Sequence, residues 1–156
     1  METNANWVAN LHPLLVHFPI ALLFTGMTIE LVGLLFKQYD RTGFMVDILI
    51  WSGTFFGLIT LLSGLQAGAS IPHSAGIATA LASHSLIAKI TVAYFFIYSL
   101  IRIVRYRRRN SLKPVYAFLI FLIGFIGLIA LWKTGERGGK LVYKFGAGTD
   151  LQQSHH

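Results

Sequence analysis

An all-α four-helix transmembrane bundle is the fold class that this sequence predicts. The chain is 54% hydrophobic and only 12% charged, which is too apolar for an ordinary soluble domain. Four apolar runs recur along it, and each is long enough to cross a hydrocarbon layer of ~30 Å. A helix in the core of a globular protein is this apolar over about ten residues, but not repeatedly over twenty.

The four predicted spans are joined by short loops and followed by a polar tail. They run approximately from Pro13 to Phe36, Met45 to Ala67, Ile77 to Ile101 and Pro114 to Trp132. The leader has no lysine or arginine and the first apolar run is too long for a secretory signal, so we expect it to be retained. Residues 1–133 then form the bundle, and residues 134–156 form a tail in which 138–148 reads as a β-like segment between glycine turns.

Basic residues gather at one end of the predicted bundle. The connection between the third and fourth spans carries a cluster, and the first link adds Lys37 and Arg41. Such clusters are typical of orientation and lipid-headgroup signals rather than nucleic-acid patches. We therefore expect a multi-pass membrane protein with the basic loops in the cytoplasm and both termini outside, bound to lipid and not to nucleic acid. The clustered residues are Arg102, Arg105, Arg107, Arg108, Arg109 and Lys113.

Two acidic residues lie toward the same end of the bundle. We expect Glu30 and Asp47 to form structural ion pairs with Arg41 or Arg102.

Two histidines lie inside apolar spans that run in the same direction. At a rise of ~1.5 Å per residue, His17 lies about 30 Å above Lys37, and His84 lies about 27–31 Å above Arg102 to Arg105. The two therefore share one level, about a turn below the outer surface. An ionisable side chain within a membrane span is a functional hypothesis by default.

A haem iron is the ligand that this histidine pair fits best. The chain has no cysteine, which excludes iron–sulfur clusters and haem attached through a Cys-x-x-Cys-His site. Zinc requires three or four protein ligands, whereas two imidazoles from facing helices fill both axial positions of a b-type haem. We predict that His17 and His84 hold one haem b whose chemistry is outer-sphere electron transfer.

Small residues near the histidines would leave room for a flat porphyrin. His17 and His84 each begin a His-x-x-Ile-Ala pattern, so an alanine lies one turn deeper on the same face. Glycines in the second and fourth spans would thin the bundle, although Gly-x-x-x-Gly spacing is also typical of close packing without a cofactor. The predicted cofactor contacts are Ala21, Ala88, Gly57, Gly64, Gly127 and Lys89, where Lys89 would bind a haem propionate or a quinone oxygen or else extend toward the headgroups.

Two further histidines near the outer surface leave a second site open. His12 and His73 would bracket a second haem or a metal ion, or they are exposed or capping residues. His12 points about 140° away from His17 on a helix, so the two do not easily share one metal. Pro19 leaves the Leu15 carbonyl without its usual partner, which predicts a kink beside His17.

The opening motif resembles a known family of bacterial membrane proteins, catalogued as domain of unknown function 2231. The resemblance rests on the stretch from Leu11 to Ala21, on His84, and on Gly-Gly-Lys-Leu-Val-Tyr at 138–143. It implies a four-span topology and, by analogy with small b-type cytochromes, a haem protein. Family tails often run Leu-Val-Tyr-x-His-Gly, whereas this chain has Phe145 at the histidine position.

Three functions compete at this point. The first is electron transfer, as a membrane cytochrome or oxidoreductase, between a quinone and an extracytoplasmic redox partner. The second is a cofactor-free membrane scaffold or accessory subunit, in which the histidines bond across helices. The third is a small transporter or metal-handling protein with Lys89 and Glu30 on its path. A homo-oligomer is compatible with each.

Overall fold

A computed structural model describes residues 6–69, 75–108 and 113–146 of the chain. These residues form α1 (Asn6–Leu15), α2 (His17–Leu35), α3 (Tyr39–Ala69), α4 (Ala75–Arg108) and α5 (Pro114–Phe145). Because α1 and α2 follow each other across a single residue, the five helices make four rods. All four rods are long and apolar enough to cross a membrane. The predicted fold class, an all-α four-helix membrane bundle, is confirmed.

The break between α1 and α2 has the cause expected from the sequence. Pro19 has no N–H to bond the Leu15 carbonyl, and α1 ends at Leu15. The hydroxyl of Thr60 on α3 donates to that carbonyl at 3.2 Å. The freed carbonyl is therefore satisfied from the neighbouring helix, and the first rod is interrupted at Val16, just before His17.

The rods pack as a closed ring in which α2 contacts α3 and α5, and α4 contacts the same two helices, while α1 lies on α3. Glycines allow the closest approaches. A Cβ at Gly53 would lie 2.8 Å from Cδ2 of Leu23, and one at Gly124 would lie 2.6 Å from Sδ of Met27. Such short distances mean that these positions exclude larger side chains. The buried core consists of Leu23, Met27, Val46, Ile50, Phe95, Tyr98, Phe121 and Leu128.

The tail differs from its expected structure. Residues 138–145, predicted as β-like, continue α5 without interruption, and the helix ends at Gly146 with a φ of 64°. The physical reason is tertiary packing, since Gly138 lies against the His84 ring and the Phe145 ring lies against Gly76 of α4. Residues 134–146 therefore extend the fourth rod, and residues 147–156 lie outside the described part.

Gly135 offers a direct check on this extension. It lies in the interior of α5, and a Cβ there would meet nothing within 4 Å. We expect Gly135→Ala to stabilise the protein by about 0.5–1 kcal/mol, because alanine loses less backbone entropy in a helix. The measurement is unfolding in detergent followed by circular dichroism. A destabilised variant would contradict a helical conformation at this position.

Candidate functional site

His12 lies inside the bundle, against α3. A Cβ at Gly64 would lie 2.7 Å from Cε1 of the His12 ring, and Nδ1 of the ring lies 3.0 Å from Oγ of Ser63. The Ser63 hydroxyl itself donates to the Thr60 carbonyl at 2.9 Å. With the single proton of the Ser63 hydroxyl directed at Thr60, the ring is the donor at Nδ1. The neutral His12 ring therefore keeps a lone pair on Nε2.

His84 is its counterpart on α4, and it lies against α5. A Cβ at Gly138 would lie 3.1 Å from Cε1 of the His84 ring, and the ring also interacts with the backbone of Thr134. Its Nδ1 is buried and has no hydrogen-bond partner within the described residues. An unsatisfied buried polar atom costs about 1–3 kcal/mol and calls for a water or a ligand.

The two rings share one level of the bundle. Along the antiparallel helices α3 and α4, Gly68 packs on Leu81 and Gly57 packs near Val92. Moving eleven residues back along α3, from Gly68 to Gly57, corresponds to moving eleven residues forward along α4, from Leu81 to Val92. Gly64, against which the His12 ring packs, is therefore level with the residue next to His84. The two histidines are also close enough to interact electrostatically. The equal-height geometry expected from the sequence is present, although with a different first histidine.

His17 does not take that place, because its side chain is exposed at the first residue of α2. The buried face of α2 includes Glu30. His12 precedes Glu30 by eighteen positions, which is about five helical turns, so the two residues lie on the same face. His17 is thirteen positions from Glu30, which turns it about 220° away. The structure therefore packs the His12 ring against α3 and leaves the side chain of the predicted ligand His17 exposed. Haem ligation at this end of the bundle stays a prediction.

The sequence contains a pattern that indicates which of His12 and His17 faces inward. His84 and Arg102 on α4 are also eighteen positions apart, so both spans carry a histidine and an ion-pairing residue on one face. Had burial of the ion pair been used to set the inward faces, His12 would have replaced His17 in the prediction.

The other predicted contacts are divided between the interior and the surface. Ala88 is half-buried one turn below His84, while Ala21 and Lys89 are exposed. A Cβ at Gly57 would meet only ordinary contacts, at 3.8 Å and 3.9 Å. The space beside Gly127 is filled by aromatic rings, with Phe95 Cζ 2.8 Å from its ideal Cβ position. His73 lies outside the described residues.

A second polar cluster lies at the opposite end of the bundle, around Arg102. Its side chain is fully buried, at 0% exposure. Nη1 donates to both oxygens of Glu30 at 2.7 and 2.9 Å and Nε donates to Asp47 at 2.6 Å. Arg105 also reaches Asp47, at 3.1 Å. The predicted pairing of Glu30 and Asp47 with Arg102 is confirmed.

Tyr98 completes this cluster, and sequence reasoning did not identify it. Its hydroxyl accepts from Arg102 Nη1 at 2.8 Å and donates to the Ile120 carbonyl of α5 at 3.2 Å. The cluster therefore links α2, α3, α4 and α5. Two guanidinium groups face two carboxylates, so the charges balance, as a low-dielectric interior requires.

The donor set at the histidine end suits a haem better than a bare metal ion. Within the described ranges, no three His, Cys, Asp or Glu side chains are grouped to hold a metal ion. A haem brings four equatorial nitrogens of its own and needs only axial ligands from the protein. His12 and His84, one ring with a lone pair on Nε2 and the other with an unpartnered Nδ1, offer that number.

Comparison with known proteins places the chain in a family. A family model described as "Predicted membrane protein (DUF2231)" matches residues 8–151, which is most of the sequence. The chain therefore belongs to the DUF2231 family. No curated protein and no solved structure matches it.

Proposed function

We propose that this DUF2231 member is an integral membrane haem b protein that transfers electrons, with His12 and His84 as the axial ligands of the iron. One observation carries the proposal. Two part-buried imidazoles stand at one level on different rods, and each is seated on a glycine that leaves room for it. Two histidines from different helices of a bundle are the axial ligand set of a b-type haem.

The surroundings of each ring favour ligation. Metal-bound histidines usually donate their second ring nitrogen to a protein acceptor, which fixes the tautomer and the ring plane. The His12 Nδ1 bond to Ser63 does this. The Nδ1 of His84 is buried without a partner among the described residues, which leaves that nitrogen available to a ligand.

The proposed chemistry follows from the ligand number. When both axial positions are filled by histidine, the haem supplies one-electron transfer and no open site for oxygen. The basic loops at the arginine end favour the cytoplasm, so the haem would lie at the extracytoplasmic face. Its electrons would pass between a quinone in the bilayer and a redox partner outside the membrane.

The visible spectrum of the purified protein tests this proposal. Protein made in haem-replete cells and extracted in mild detergent is expected to show a Soret band that shifts on reduction with dithionite. The stoichiometry, measured as the pyridine haemochrome, is expected to be one haem b per chain. A colourless protein under these conditions would reject the proposal and favour the cofactor-free scaffold.

A further inference from the structure

We infer that the polar end of α5 is a docking surface for an acidic, water-soluble protein. This surface, called the basic stripe below, consists of Lys133, Arg137, Lys140 and Lys144. That the docked protein exchanges electrons rests on the proposed function, whereas the surface itself rests on charge and geometry alone.

The basic stripe begins where the apolar belt of α5 ends. Exposed large apolar residues follow one another closely on α5 from Val115 to Trp132, and the next residue is the exposed Lys133; beyond it only Val142 and Tyr143 of α5 are of this kind. From Lys113 to Lys133 the helix rises about 30 Å, which is the thickness of the hydrocarbon layer. The rest of α5, to Phe145, adds about 18 Å. To lie entirely within the bilayer, a helix of this length would have to tilt about 50° from the membrane normal. The usual tilt of a membrane helix is ~20°.

The adjacent helix marks the same boundary. The hydroxyls of Thr91 and Thr134 lie 2.9 Å apart, so Lys89 and Lys133 lie within about a turn of each other along the bundle. Both lysines are exposed. Exposed lysines on both α4 and α5 therefore mark the same headgroup level. The other residues of the basic stripe lie beyond that level.

The stripe occupies one face of the helix. Its four cations follow the spacing i, i+4, i+7 and i+11, which places them in one row, and all four are exposed. The only acid in this part of α5 is Glu136, which pairs with Lys140 at 2.6 Å. Residues 133–145 thus carry four positive charges and one negative charge, a net +3. Tyr143, 93% exposed, adds an aromatic side chain of the kind that anchors protein interfaces.

The stripe lies directly beside the candidate haem site. Nη1 of Arg137 donates to the carbonyl and the hydroxyl of Ser83 at 3.2 and 2.8 Å, and Arg137 interacts electrostatically with His84. The next residue, Gly138, packs against the His84 ring. A protein held on the stripe would therefore stand next to the proposed ligand of the iron.

The direction of the stripe favours a protein over a lipid surface. Lipid phosphates lie in a plane parallel to the membrane, whereas the row from Lys133 to Lys144 rises about 16 Å along the helix axis. Only Lys133, at the boundary, is at headgroup level. The cations above it face water, where complementary charge increases association rates and sets specificity.

Binding of a defined acidic protein tests this inference. The probe is fluorescently labelled plant-type ferredoxin, and the protein is held in nanodiscs of zwitterionic phosphatidylcholine. We expect anisotropy to report binding at ~0.01 M salt that weakens on raising the salt to ~0.15 M. The triple variant Lys133→Glu, Lys140→Glu, Lys144→Glu is expected to lower the affinity at least ~10-fold, since close charge pairs set such affinities. Arg137 is left unchanged because of its contact with Ser83.

A matched control places the same charge change at the other end of the bundle. Arg41→Glu, Arg107→Glu and Lys113→Glu together should leave ferredoxin binding unaltered, and the basic mitochondrial cytochrome c should not bind the wild type. The inference is overturned if the α5 variant binds ferredoxin as the wild type does, if the control variant loses as much affinity, or if the only defect is weaker association with phosphatidylglycerol vesicles. Anisotropy requires no haem, so a missing Soret band with intact ferredoxin binding rejects the proposed function alone.

Discussion

His12→Ala and His84→Ala are each expected to abolish haem binding, whereas His17→Ala is expected to retain the full Soret band. Each of the first two variants removes one of the two proposed axial ligands, and a b-type haem has no covalent link that would hold it in place. His17 is an exposed residue on the other side of the first rod. The measurement is the ratio of Soret absorbance to protein absorbance after purification.

Rescue with free imidazole separates ligand loss from misfolding. In a folded protein, the alanine variants leave a space the size of the missing ring, so added haem and imidazole should restore a low-spin spectrum. Far-ultraviolet circular dichroism checks that the helices are intact. Loss of haem in His17→Ala together with its retention in His12→Ala would reverse the assignment and identify His17 as the ligand.

Removing the Arg102 charge is expected to have the largest effect on stability. Arg102→Met leaves the buried carboxylates of Glu30 and Asp47 without their main partner, and breaking a buried ion pair on one side costs about 3–5 kcal/mol. Arg102→Met combined with Glu30→Gln should cost less than the sum of the two single variants, because the pair is lost as a unit. Unfolding titrations in mixed detergent micelles measure both effects.

An exposed cation on the same helix provides the comparison. Arg107 is exposed near the end of α4, and Arg107→Met should change the unfolding free energy by no more than ~0.5 kcal/mol. If Arg102→Met were equally mild, the cluster would not be closed to water in the membrane. Additivity in the double variant would argue against direct coupling of Arg102 with Glu30.

The helix break in the first rod shows what can and cannot be predicted from the sequence. Pro19 predicts a kink because an imino acid lacks an N–H, and that local rule needs no knowledge of the neighbours. The partner of the Leu15 carbonyl, Thr60, comes from α3. A helix break is therefore readable from the chain, while the group that stabilises it is not.

The two histidine spans show the same division. Equal height could be calculated because the rise per residue is constant, and the prediction that His12 and His17 point apart followed from helical geometry. The choice between them depends on how the helix is rotated about its axis. In a membrane span, residues on every face are apolar, so hydrophobicity alone does not show which face points into the bundle. In α2 and α4 the buried face is the one that carries Glu30 and Arg102, as their contact shows.

The amino-acid sequence by itself determined the four spans, the family, the kink and the partners of the buried charges, because these depend on length, composition, chain chemistry and the cost of an unpaired charge in hydrocarbon. Only the tertiary structure decided that His12 is packed against α3 while His17 is exposed, and that α5 continues to Phe145. Both depend on which surfaces meet across the bundle: the His84 ring packs on Gly138, and this contact lies within a glycine-rich segment whose local propensity is not helical.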